Sequence, residues 1–169
     1  MTPPQKLIPW LSCEDSLTQK LKTTTGDASI QVLKHGLRST CSIGIQENLE
    51  FMREIVMFSQ KTCCWYARSL ASLTTYEAYP DFFKRLQQNA LYVMLFQEKL
   101  AVRQSLAYYA IRRHDREFDW VSPFLSSEVT NHSPDTFTLW GRCACFLIAN
   151  KAPFYLFEIF LPQFLDLIV

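Results

Sequence analysis

Two charged residues lie inside apolar segments where an isolated charge is costly. Glu158 occupies the middle of the run 154–162, and Arg53 lies in the run 51–58. A buried charge needs a partner, and alternate residues of a strand share a face. If both faces line one pocket, that pocket has a cationic end and an acceptor end, which suits a small, flat ligand bearing a carboxylate. The pattern is also compatible with a buried arginine–glutamate pair that binds no ligand.

The composition indicates one domain over residues 1–169 with a sizeable core, since 49% of the 169 residues are hydrophobic and 13 are Phe. There are only 4 Gly, and neither a Walker-type nor a dinucleotide-binding motif is present. A net charge of +1 gives no electrostatic case for nucleic acid as a partner. The basic cluster at residues 112–116 contains an acid and is interpreted as a solvated helix end.

The six cysteines form no C-x-x-C motif, and no histidine lies at ligand spacing from a pair of them. We therefore expect free thiols, a cytoplasmic protein and no bound metal. The N-terminal residues lack a signal-peptide pattern. The apolar segment 152–169 is interrupted by Glu158, Pro162, Gln163 and Asp166, so no membrane span is expected.

Hydrophobic spacing and turn residues predict an order of helix, strands, helices and strands. The predicted elements are a helix at 12–22 capped by Ser12, strands at 29–35, 40–45, 48–58 and 63–70, helices at 81–96 and 100–113, a loop at 122–135, and a hairpin of strands 140–149 and 153–161. Strands and helices do not alternate as in a parallel sheet. This favours an α+β domain in which helices cover one side of an antiparallel sheet.

Several short segments, in this order and spacing, resemble the chorismate pyruvate-lyase family. They are Leu7-Ile8-Pro9-Trp10-Leu11 with Glu14-Asp15-Ser16-Leu17-Thr18, Arg53-Glu54-Ile55, Ala67-Arg68-Ser69, Leu139-Trp140-Gly141-Arg142 and Glu158-Ile159-Phe160-Leu161-Pro162. The resemblance covers most of the chain. It implies a six-stranded antiparallel sheet with helices over a buried ligand, no metal or other cofactor, and a monomer.

The resemblance also implies an activity and a set of site residues. Family members convert chorismate to 4-hydroxybenzoate and pyruvate, the first committed step of ubiquinone biosynthesis, and tight binding of the product is expected to limit turnover. By motif, Arg53 matches the arginine that holds the ring carboxylate, and Glu158 matches the glutamate that meets the 4-hydroxyl. Leu17 and Leu91 match positions whose backbone contacts the ligand. Arg68 is assigned to the enolpyruvyl carboxylate.

Three departures from the family pattern stand out. Ala90-Leu91-Tyr92 replaces Pro-Leu-Gly, Cys143 replaces a second arginine, and the segment 112–137 is longer than expected. Arg142 follows Trp140 closely and is interpreted as stacking on an aromatic ring.

A non-catalytic domain that senses small aromatic acids, as in some bacterial transcription regulators of the same general fold, is the alternative function. Such a domain normally follows a DNA-binding winged helix, for which this chain has no room. A decayed lyase that binds without turnover is a third interpretation, prompted by Tyr92.

Overall fold

A six-stranded antiparallel sheet forms the centre of the computed structural model, which describes residues 2–40, 48–126 and 137–168. Its strands are β1 (Ser29–Thr40), β2 (Asn48–Ser59), β3 (Thr62–Ser72), β4 (Ala101–Ile111), β5 (Leu139–Ile148) and β6 (Ala152–Phe160). They lie in the order β1-β2-β3-β6-β5-β4. The predicted α+β fold with a six-stranded antiparallel sheet is therefore confirmed.

The helices are short and lie mostly on one face of this sheet. They are α1 (Ile8–Leu11), α2 (Leu17–Thr25), α3 (Leu73–Ala78), α4 (Pro80–Gln88) and α5 (Arg116–Val121), with a π-helical turn at Val93–Gln97 and 3₁₀ turns at Gln5–Leu7, Ser122–Phe124 and Pro162–Asp166. No helix in the described ranges combines the length and apolar composition needed to cross a bilayer.

The sheet separates two apolar clusters of unequal size. The larger one packs α1, α2, α4 and the π-helical turn against one face, around fully buried residues such as Trp65 and Phe83. The smaller one packs α5 against the other face, where Phe118 and Val121 meet Tyr66. Helices therefore cover both faces, rather than the single face that the order of elements suggested.

The strand β4 is the main difference from the predicted elements, because a helix was expected at 100–113. Val102, Leu106 and Ala110 recur every four residues, which is helical spacing. The register with β5 shifts between Arg103 and Ser105, so one extra residue interrupts the alternation of a strand. In the strand the extra residue puts Val102 on the opposite face from Leu106 and Ala110, so the sequence of β4 lacks the regular alternation that marks a strand.

Other boundaries differ for local reasons. Ser16, rather than Ser12, caps α2, since its hydroxyl accepts a hydrogen bond from the Gln19 amide at 3.2 Å. β1 continues through Gly36, which has a φ of 144°, a value that glycine adopts without steric cost. The predicted helix at 81–96 divides into α4 and the π-helical turn. Residues 41–45 of the predicted edge strand and 127–135 of the predicted loop lie outside the described residues.

Candidate functional site

A cavity lies between the sheet and the larger helical layer, and its charges do not balance. Its lining includes Arg53, Arg103, Arg142 and Glu158 among mainly apolar side chains. The remaining lining residues come from α2, β1, β2, β3, β5, β6 and the segment 91–96, and are Ser16, Leu17, Thr18, Ile30, Ile55, Met57, Trp65, Ala67, Ser69, Leu91, Tyr92, Leu95, Phe96, Ala144, Phe146 and Leu156. Three arginines and one glutamate leave an excess of two positive charges, which suits an anionic ligand.

Arg53 is a buried cation whose Nε has no hydrogen-bond acceptor among the described residues. β2 places it on the cavity face opposite Ser69 of β3, and only 5% of its surface is exposed. Its Nε is buried without a partner. Burial lowers the pKa of the guanidinium to about 10. The described residues therefore compensate this charge poorly, and a ligand carboxylate would supply acceptors for it.

Glu158 pairs with Arg142 and not with Arg53. The two residues are direct cross-strand partners on β6 and β5, and Arg142 Nε donates to Glu158 Oε2 at 2.6 Å. Arg142 Nη1 also donates to the carbonyls of Cys13 at 2.7 Å and Trp10 at 3.3 Å. The interpretation of Arg142 as a stacking residue is thus replaced by an ion pair that also ties the sheet to the segment after α1.

The pairing with Arg142 engages Oε2 of Glu158 and leaves Oε1 available to a ligand hydroxyl. No ion pair joins Arg53 to Glu158 among the described residues. On β3, Ser69 lies opposite Arg53 and Ala67 lies opposite Glu158. The two charged residues are therefore separated by one strand and offset by two residues along it. Strand geometry places their Cα atoms roughly 12 Å apart. Small side chains at Ala67, Ser69 and Ala144 line the space between.

Gly141 allows the strand that carries Arg142 to lie close to its neighbours. A Cβ at this position would lie 2.9 Å from Ile111 Cδ1 and 3.2 Å from the backbone oxygen of Glu158. Any larger residue would therefore push against the backbone of the glutamate itself. The glycine of the Trp-Gly-Arg segment is explained by this contact.

Leu17 and Leu91, expected to offer backbone contacts, both line the cavity. Leu17 is the first residue of α2, where amides have no acceptor within the helix. Leu91 precedes Tyr92, whose φ of −61° and ψ of −33° are ordinary right-handed values. The tyrosine at this position therefore causes no backbone strain, and Tyr92 is one of the cavity-lining residues.

The cavity is small, with a volume of about 50 Å³. That volume holds a few water molecules.

Arg68 lies on the other face of the sheet, so it does not join the other predicted site residues. Its Nη2 donates to Glu54 Oε1 at 2.6 Å, and its Nε donates to the Tyr66 hydroxyl at 2.8 Å. Its guanidinium also lies 3.8 Å from the ring centre of Trp120 on α5. The alternation of β3 places Ala67 and Ser69, but not Arg68, in the cavity. The expectation that Arg68 meets the enolpyruvyl carboxylate is therefore not retained.

Glu54 completes this second ionic cluster. Burial raises the pKa of its carboxyl, but hydrogen bonds from Tyr66 and Arg68 and the charges of Arg68 and Lys34 outweigh burial, so the pKa is lowered overall. The cluster is internally satisfied, which indicates a structural role.

Arg103 is a cavity residue that the sequence did not indicate. Its Nε is buried without an acceptor among the described residues, as is that of Arg53. Burial and the positive charge of Arg142 lower the pKa of Arg103 and outweigh the opposite effect of Glu158, Cys13 and Glu14. The predicted helix at 100–113 concealed this residue, because only the register of β4 against β5 places it opposite Phe146 on the cavity face.

A family model described as chorismate lyase matches residues 1–168 of this chain. The chain belongs to the chorismate lyase family. A probable chorismate pyruvate-lyase from Psychromonas ingrahamii is 27% identical over 169 residues, covering 94% of this chain and 83% of that protein. The family membership agrees with the resemblance seen in the five motif segments.

Solved structures with this fold include ligand-binding domains of transcription regulators. The effector domain of PhnF from Mycobacterium smegmatis has a TM-score of 0.54 at 9% identity, with 88% of this chain and 90% of that chain covered. The C-terminal domain of a histidine utilization repressor from Pseudomonas syringae pv. tomato has a TM-score of 0.51 at 8% identity, with 81% and 93% covered. At these identities the similarity establishes the fold alone.

Proposed function

We propose that this protein is a chorismate lyase that converts chorismate to 4-hydroxybenzoate and pyruvate. The observation that carries the proposal is the pair of unlike groups at the two sides of one buried cavity, Arg53 without an internal acceptor and Glu158 with one carboxylate oxygen available. Membership of the chorismate lyase family supports this activity over other reactions of small aromatic acids.

In this proposal Arg53 holds the ring carboxylate through parallel N–H···O bonds, and Glu158 accepts a hydrogen bond from the 4-hydroxyl. Each charge-assisted bond contributes about 1.5–3 kcal/mol. Arg142 fixes the rotamer of Glu158, because the two side chains are joined by a 2.6 Å bond. The ring lies over the small side chains between the two charged groups.

The reaction itself needs positioning more than powerful acid–base chemistry. The bond between ring C3 and the enolpyruvyl oxygen breaks, the C4 proton leaves, and the released enol becomes pyruvate. Aromatisation of the ring supplies the driving force. Apolar walls, including Leu156 and Phe146, exclude water and strengthen the contacts made by Arg53 and Glu158.

Turnover of chorismate is the direct test. The purified protein is mixed with chorismate, and 4-hydroxybenzoate and pyruvate are followed separately. Appearance of both products in equal amounts supports the lyase. Arg53→Ala, which removes the proposed anchor, should abolish useful turnover. Near-normal kcat/KM in that variant would contradict the assignment of Arg53.

A binding domain without catalysis is the second candidate, and the regulator domains among the structural relatives favour it. It predicts saturable binding of 4-hydroxybenzoate with no conversion of chorismate. Tyr92 among the lining residues gives this candidate a physical basis, since a bulkier residue at this position could leave room for the product but not for the substrate.

The same fit to a flat aromatic acid predicts slow release of 4-hydroxybenzoate during turnover. Added 4-hydroxybenzoate should then inhibit the steady-state rate, whereas an unchanged rate would exclude product retention. As part of the same proposal, the protein acts in the cytoplasm, and its 4-hydroxybenzoate is used for ubiquinone biosynthesis.

A further inference from the structure

Arg103 is a second cavity arginine that the proposed roles of Arg53 and Glu158 do not use. Its Nε is buried and has no acceptor among the described residues, although part of the side chain is exposed. The centre of its guanidinium lies 5.5 Å from the Phe96 ring centre and 5.4 Å from that of Phe146. These rings hold the guanidinium without supplying an anion.

The two arginines whose Nε atoms lack an acceptor among the described residues lie on the same face of the sheet, toward its opposite edges. Arg53 lies on β2 and Arg103 on the edge strand β4, with β3, β6 and β5 between them. Strand spacing places their Cα atoms roughly 20 Å apart. Their long side chains extend inward from both sides, so a ligand between them can meet one guanidinium at each end.

Arg103 also stands at the junction between the inner cavity and an outer groove. The groove has a volume of about 800 Å³, and it shares Ser16, Leu95, Phe96, Arg103 and Phe146 with the inner cavity. Its outer lining includes the carboxylates of Glu14 and Asp15 as well as Lys99. An anion farther out would meet those two carboxylates, which makes the inner side at Arg103 the favourable place for it.

The geometry points to Arg103 as the binding residue for the second carboxylate of the substrate, the one on its enolpyruvyl arm. This inference rests on the proposed function, in which Arg53 takes the ring carboxylate. Two carboxylates match the two positive charges that the cavity holds in excess. After cleavage the arm becomes pyruvate, so Arg103 holds pyruvate beside the groove and makes no contact with 4-hydroxybenzoate. Arg103 thus selects a dicarboxylate over a monocarboxylate.

A matched pair of unreactive ligands tests this role without depending on turnover. The first is 3-(carboxymethoxy)-4-hydroxybenzoate, and the second is 3-ethoxy-4-hydroxybenzoate, in which a methyl group replaces the arm's carboxylate. Affinities are measured by calorimetry for the wild type, Arg103→Gln and Arg103→Lys. The wild type should bind the dicarboxylate about 10- to 100-fold more tightly than the ethoxy compound.

In Arg103→Gln this ratio should fall to near unity while the affinity for 4-hydroxybenzoate stays within about twofold of the wild-type value. Arg103→Lys should keep an intermediate ratio, because lysine retains the charge but not the planar fork. If the glutamine variant unfolds, the lysine variant alone decides the question. An unchanged ratio in the variants, no preference in the wild type, or equal weakening of all ligands would overturn the inference.

Turnover measurements separate this inference from the proposed function. If the wild type shows the dicarboxylate preference and loses it in Arg103→Gln, yet never converts chorismate, the lyase proposal fails and the binding role of Arg103 stands. If the wild type does convert chorismate, Arg103→Gln should raise KM about 10-fold or more while 4-hydroxybenzoate still inhibits as in the wild type.

Discussion

Replacing Arg53 and Arg142 by methionine should move stability in opposite directions, although both arginines are buried in the same cavity. Arg53 has a pKa of about 10 against an ordinary value of 12.5. That difference disfavours its charged form by about 3 kcal/mol. Arg53→Met removes a poorly compensated charge and keeps a long apolar side chain, so the free energy of unfolding at pH 7 should rise by up to about 3 kcal/mol.

Arg142→Met should instead destabilise the protein. It removes the donor to Glu158 Oε2 at 2.6 Å and the donor to the Cys13 carbonyl at 2.7 Å, and it leaves a carboxylate that is only 7% exposed without its partner. Loss of one member of a buried pair costs about 3–5 kcal/mol. The two variants are matched controls because the change in side chain is identical.

Although Arg53→Met should raise stability, it should weaken the binding of 4-hydroxybenzoate. Two charge-assisted hydrogen bonds to a carboxylate amount to about 3–6 kcal/mol, which corresponds to a loss of about 10²- to 10⁴-fold in affinity for 4-hydroxybenzoate. Denaturant unfolding gives the stability of each variant, and calorimetric titration gives the affinity. A less stable Arg53→Met with affinity within about threefold of wild type would refute the assignment of Arg53 as a ligand-binding residue.

Three further predictions concern groups around the cavity. Arg68→Met removes the ion pair of the buried Glu54 carboxylate, which keeps Tyr66 and Lys34 as partners, and should lower the free energy of unfolding by about 1.5–3 kcal/mol. Affinity for 4-hydroxybenzoate should change by less than about twofold; a large loss of affinity would return Arg68 to the site. Gly141→Ala overpacks the contact between β5 and its neighbours and should cost about 1–3 kcal/mol in urea unfolding, and no loss would contradict the close approach. Burial, together with the charge of Arg53, lowers the pKa of His35 from 6.5. The contribution of neutral His35 to the free energy of unfolding should therefore be fully present above about pH 6.5 and decrease as the pH falls below it. His35→Asn should flatten that part of the stability profile. A wild-type profile identical to that of His35→Asn between pH 7 and 5 would exclude this contribution.

The strands that carry the candidate site were largely predictable from the sequence. β2 and β6 are mainly apolar, and the alternation of a strand places Arg53 and Glu158 on the cavity face. The family motifs added Leu17 and Leu91, and both line the cavity. Local pattern and motif therefore indicated which elements carry the site.

The pairing of charges across strands was not predictable in the same way. Glu158 meets Arg142 because β5 and β6 form a hairpin in one particular register, and a shift of one residue would have turned one of the two side chains to the other face. Arg68 follows the same rule with the opposite result, since its neighbours Ala67 and Ser69 face the cavity. As an arginine, Arg68 was expected to bind a substrate carboxylate, but its position in the alternation of β3 turns it away from the cavity.

Arg103 was hidden for a different reason. A bulge after it interrupts the alternation of β4, so the segment was predicted as a helix, in which side chains follow a period of 3.6 residues instead of two. Only the sheet register shows that one cavity is lined by two arginines whose Nε atoms find no acceptor in the described part of the chain. The number of uncompensated charges, which determines the expected charge of the ligand, therefore came from the three-dimensional arrangement.

A crystal structure of the protein with 4-hydroxybenzoate would test most directly whether Arg53 and Glu158 bind the two ends of one ligand. We expect the carboxylate of the ligand to lie within hydrogen-bond distance of the Arg53 guanidinium and its hydroxyl to donate to Glu158, with the Arg142 pair intact and Arg103 free of the ligand. A carboxylate bound by Arg103 or Arg142, or a ligand bound outside this cavity, would contradict it.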